Sequence, residues 1–94
     1  MVTFEKKMIE YINPQINLNG MTANEHIRLR MEFRKKLMDA MKTLAELRPH
    51  GRDYIGEPDR YKNDLDIYYA RFRALDHLYN VVEQEALKIQ EQAE

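Results

Sequence analysis

From Tyr61 onward, apolar and aromatic side chains recur at steps of four and three: Leu65, Tyr68, Phe72, Leu75, Tyr79, Val82, Ala86, Ile89 and Ala93. An unbroken run of such steps is one seam on one helix, about 35 residues or roughly 50 Å long at 1.5 Å per residue. A rod of that length cannot bury its own seam. The rest of the chain must pack against it.

Two further stretches have helical periodicity. In the first, Phe4, Met8, Tyr11 and Ile12 share one face of a short helix expected over 3–12, with Thr3 as its cap and Asn13-Pro14 as its stop. Ten residues are too few for a helix to stand alone, so packing must hold it. The second begins at Thr22-Ala23-Asn24-Glu25, which has the spacing of a capping box, and is expected over 23–47. Its solvent stripe is Arg28, Glu32, Lys35, Asp39, Lys42 and Glu46. Two apolar rows lie opposite: Phe33, Leu37, Ala40, Leu44 and Leu47 in one, Ile27, Met31, Met38, Met41 and Ala45 in the other. Two rows imply two neighbours. Arg30 and Arg34 border these rows, and two snorkelling arginines on a charged helix face are the plain reading. An interfacial anion site is the other.

Pro49, Gly51, Gly56 and Pro58 break the pattern over 48–58, and the rod is then expected over 59–92. The fold read from these signals is all-α: one domain over 1–94, with a short N-terminal helix followed by a long antiparallel αα-hairpin. The rod outlasts its hairpin partner by roughly 12 Å, and the N-terminal helix is the natural cover for the excess. Ile67, Ala74, Leu78 and Val81 form a second row beside the main seam, and Tyr69 lies on its other flank. One partner helix cannot cover all of that. A homo-oligomeric helical bundle is therefore expected, with a dimer through the third helix as the simplest case.

Composition excludes several function classes. The chain has no cysteine and no serine, and it has three threonines. Serine- or cysteine-type covalent catalysis is thus excluded. His26, His50 and His77 lack metal-ligand spacing, and Glu83 and Glu85 have no associated Glu-x-x-His, so no metal and no cofactor is expected. A net charge of −1 gives no field that would draw the chain onto DNA, RNA or an anionic membrane. No long apolar run exists and no apolar stretch follows the N-terminal lysines, so a cytoplasmic, non-enzymatic protein is expected.

The connector is where function is expected, because loops on rigid supports carry it. Arg48, His50, Gly51, Arg52, Asp53 and Tyr54 lie there, with Tyr61 at the start of the next helix. Two guanidinium forks, an imidazole and aromatic faces suit a phosphate-bearing or nucleotide-like anion. The plainer reading is an ordered loop in which Asp53 pairs with an arginine and Tyr54 packs on the hairpin end.

The run Pro49-His50-Gly51-Arg52-Asp53-Tyr54, followed by a helix with Tyr69, Arg73, Leu75 and Val81, resembles small phage-encoded proteins. These are two long helices joined by a Gly-Arg-Asp-Tyr-like loop. The resemblance covers residues 45 to 85, and Ile55 stands where a second aromatic is often found. It implies a protein that acts in the host cytosol against host physiology. Some small helical phage proteins of this size are oligomeric sponges that withhold nucleotide-derived immune signals, cyclic oligonucleotides or ADP-ribose derivatives among them. The resemblance thus implies an anti-defence sponge, with His50, Arg52 and Tyr54 forming the site and Asp53 orienting Arg52. The alternative class is a protein–protein interaction module, an inhibitor of a host protein or an accessory scaffold, with no small-molecule ligand.

Overall fold

The computed structural model describes residues 4–93, with side chains from Lys6 onward. The chain is all-helical, and no strand occurs among the described residues. Helix α1 spans Phe4–Met8, α2 spans Ala23–Ala45, a 3-10 turn covers Gly51–Tyr54, and α3 spans Pro58–Ala93. Helices α2 and α3 form the hairpin.

Local chemistry sets these boundaries. Thr22 caps α2 by accepting from the Glu25 amide at 3.1 Å. At its other end the amides of Glu46, Leu47 and Arg48 each bond three residues back instead of four. This tightening ends α2 two residues before the expected limit at 47, just ahead of Pro49. Gly56, at φ +77°, supplies the left-handed turn into α3. Pro58 opens α3 at a position where its missing N–H costs nothing.

Helix α1 stops at Met8 instead of continuing to 12. Beyond it the backbone is drawn to α3, where the Ile12 amide donates to Glu85 Oε1 at 2.6 Å. Residues 11–17 have no regular secondary structure. Thr3, expected to cap, lies outside the described residues, and Phe4, expected to pack, outside the described side chains. The excess of α3 has a cover, but this irregular segment provides it. Gln92 Nε2 donates to the Pro14 carbonyl at 3.0 Å and to Asn13 Oδ1 at 3.3 Å. Ile89, beneath, is 1% exposed.

Over the span of α2, the seam of α3 faces that helix. Tyr68, Ala86 and Ile89 are buried, and Tyr61, Leu65, Phe72, Leu75, Tyr79 and Val82 are half-buried. The facing line on α2 is Ala23, Ile27, Arg30, Arg34, Leu37, Met41 and Leu44, again at steps of four and three. This corrects the two-row reading of α2, because the line takes members from both rows and places two arginines between them. Neither arginine snorkels. Arg30 Nε donates to Glu85 Oε2 at 2.7 Å, and the two side chains are 13% and 7% exposed. Arg34 donates to Glu83 Oε2 at 3.0 Å and to the Tyr79 carbonyl at 3.1 Å, with its guanidinium 3.9 Å above the Tyr79 ring.

The molecule measures 63 × 33 × 18 Å with a radius of gyration of 18.3 Å. A compact chain of this length would have about 12 Å.

The buried Arg30–Glu85 pair makes a testable demand. Removing one member strands the other charge, so Glu85→Ala should cost about 3 kcal/mol of unfolding free energy. The double change Arg30→Met with Glu85→Leu should recover most of that loss, as read by urea denaturation. Equal losses in the two variants would mean that the Ile12 latch, not the ion pair, carries the stability.

Candidate functional site

The connector sits at the end of the hairpin away from the N-terminal segment. Its 3-10 turn stacks on the first turn of α3: the Tyr54 and Tyr61 ring centroids are 5.2 Å apart with planes inclined by 36°. Gly51 lies against the other side of this cluster, where a methyl group would stand 3.9 Å from the Tyr61 ring. That is ordinary van der Waals contact, so Gly51 is not there for want of space. The Tyr54 hydroxyl donates to Asp64 Oδ2 at 2.6 Å. This bond to a carboxylate pushes the Tyr54 phenol above its ordinary range, because a phenolate would lose the bond and face a like charge.

The seven expected site residues thus divide. Gly51, Tyr54 and Tyr61 form one contiguous cluster. Arg48 is directed elsewhere: its Nε donates to the Tyr69 hydroxyl at 3.0 Å, and its guanidinium lies 5.7 Å from that ring. The bond to Tyr69 pushes the Arg48 guanidinium up from its ordinary value. His50, Arg52 and Asp53 are exposed. No ion pair joins Asp53 to Arg52 among the described residues, which corrects the expectation that Asp53 orients Arg52. In a turn of three residues per repeat, adjacent side chains diverge by about a third of a circle.

Two grooves flank the cluster. One, of about 270 Å³, is lined by Leu44, Leu47, Pro49, Ile67, Tyr54 and Tyr68 together with Asp64 and Arg71. The other, of about 320 Å³, is lined by Asp53, Tyr54, Ile55, Glu57, Arg60 and Asp64. Three carboxylates against one guanidinium give the second groove the wrong sign for an anion. The first has balanced charge, with Asp64 against Arg71. Asp64, Ile67 and Arg71 were absent from the sequence reading of the site. Asp64 stands one turn after Tyr61 on the same helix, and that spacing was the available signal. No group of three or more ligating side chains with the geometry of a metal site occurs among the described residues. No described helix is long and apolar enough to cross a membrane.

The Tyr54–Asp64 bond gives a pH dependence of known sign. A phenol held above its unfolded value, near 10.0, contributes stability that is fully present below that value. The contribution is lost as pH rises through the higher folded value. Tyr54→Phe should therefore lower the melting temperature at neutral pH and flatten its alkaline fall above about pH 10. An unaltered alkaline profile in Tyr54→Phe would rule out this bond as its source.

No protein-family model matches the chain, and neither the curated proteins nor the solved structures contain a match to it.

Proposed function

We propose that this chain is a protein–protein interaction module that works as an assembly of copies and presents the 48–57 connector at the ends of a helical scaffold. One observation carries the reading. The isolated chain exposes 7557 Å², whereas a compact monomer of 11.3 kDa exposes about 5,700 Å². The surplus is not polar decoration. Phe33, Leu47, Ile67, Met31 and Leu87 are all more than two-fifths exposed. Large apolar side chains left in water at this density mark surfaces that meet another protein.

The connector supports this reading more than it supports an anion site. Tyr54 has given its hydroxyl to Asp64 and Arg48 its guanidinium to Tyr69. The neighbouring groove is acidic. A second reading, the anti-defence sponge implied by the phage resemblance, is favoured by a narrower observation. His50 and Arg52 are exposed near the stacked Tyr54–Tyr61 rings and make no ion pair among the described residues. A planar base on those rings would bring a phosphate within reach of both.

Light scattering at micromolar concentration separates a working assembly from a monomer, and the module reading requires a mass of at least two chains. Calorimetric titration with cyclic oligonucleotides and ADP-ribose derivatives tests the sponge. Heat of binding that Arg52→Ala abolishes, with the melting temperature unchanged, would displace the module reading in its favour. Absence of heat with every ligand would eliminate the sponge.

A further inference from the structure

One flank of α3 is free of charge. Asn63, Ile67, Ala70, Ala74, His77 and Val81 follow one another at steps of four and three, and none is Asp, Glu, Lys or Arg. The corresponding line on the opposite flank is Lys62, Asp66, Tyr69, Arg73, Asp76, Asn80 and Glu83, the usual dress of a solvated helix. The chain as a whole is 33% charged. Five of the six residues on the uncharged line are exposed, and Val81 alone is buried.

Helix α2 extends this flank into a face. Leu47, just past the end of α2, and Ile67 line the same groove, and Arg30 meets Glu85. That register places Ala40 across from Ala74. Ala40, like Ala74, is exposed, while Phe33 and Leu47 at the two ends are 44% and 70% exposed. The middle of the face is therefore shallow and its ends are raised.

We infer that this face is where a second copy of the chain docks, with the two α3 helices antiparallel and crossing between Ala70 and Ala74. This rests on the self-association reading above and specifies its surface. Three observations commit the face to a second copy. First, the surface surplus of roughly 1,800 Å² exceeds the roughly 800 Å² per partner that a stable interface takes. Second, the line is self-complementary about its centre. Two alanines lie in the middle, so reversing one copy sets Ala70 on Ala74 and Ile67 on His77. A two-fold interface requires such a pattern, and the small central residues allow the helices to approach closely. Third, the N-terminal segment fixes the direction. It lies on Glu85, one turn beyond Val81. Parallel copies would bring two such segments together at one end, whereas antiparallel copies place each one past the end of the other's line.

The cysteine-free chain allows a direct test. Ala70→Cys and Ala74→Cys variants are refolded together in equal amounts and oxidised. The expected result is a covalent dimer containing one of each, with little dimer from either variant alone. Self-linked dimers of each single variant would make the pairing parallel and overturn the arrangement. A native chain that scatters as an assembly while neither variant cross-links would move the interface elsewhere and leave the module reading standing. A native monomer would defeat both. Ala74→Glu provides a second measurement. It should reduce the scattering mass to one chain while the helical circular dichroism is retained, and a mass unchanged from native would count against the face.

Discussion

One carboxylate joins the three parts of this chain. Glu85 Oε2 accepts from Arg30 on α2, and Glu85 Oε1 accepts from the Ile12 amide of the N-terminal segment. The interaction is nearly closed to water, so each of its charges would be costly alone. It also acts as a ruler. A hairpin seam of Leu, Tyr and Met side chains packs almost as well after a shift of one heptad. A buried guanidinium has no such freedom, because after a shift it would face an apolar wall. Arg34 with Glu83 repeats the constraint one turn away, and the Tyr79 ring beneath the guanidinium limits its angle of approach. The price of burying three ionised groups, Arg30, Arg34 and Glu85, is set against a single allowed register.

That register determines what the hairpin can offer outward. It places Leu47 beside Ile67, and so builds the groove next to the connector from two helices and not from the loop alone. It also leaves the flanks of α2 and α3 unequal, one charged and one apolar. The connector is a short ordered cap. Its rings stack on α3, and its most polar side chains either turn back onto that helix or stand in solvent.

The elements that follow from local rules could be read from residues alone. The four–three run from Tyr61 located α3 and its inward face. The Thr22 cap located the start of α2, and Pro49 and Pro58 bounded the connector. What escaped depended on residues far apart in the chain. Arg30 and Arg34 look like surface arginines until Glu85 and Glu83, some fifty positions away, are opposite them. For the same reason the first helix was read too long: the apolar spacing of Tyr11 and Ile12 suits a helix, but a carboxylate on α3 outbids the helical bond for the Ile12 amide. The site was legible as a place and not as an arrangement. Tyr54 was noticed for its ring, and the role of Asp64 as its acceptor required the geometry.

The N-terminal segment is held largely through its main chain. Ile12 contributes an N–H, and its side chain is 67% exposed. Pro14 contributes a carbonyl to Gln92. Two side chains add to the fastening: Asn13 accepts from Gln92, and the Tyr11 ring lies 5.1 Å from the Lys88 ammonium. Elsewhere along the strap, proline at position 12 excepted, the sequence can drift and acquire new outward chemistry without loosening the fold beneath it.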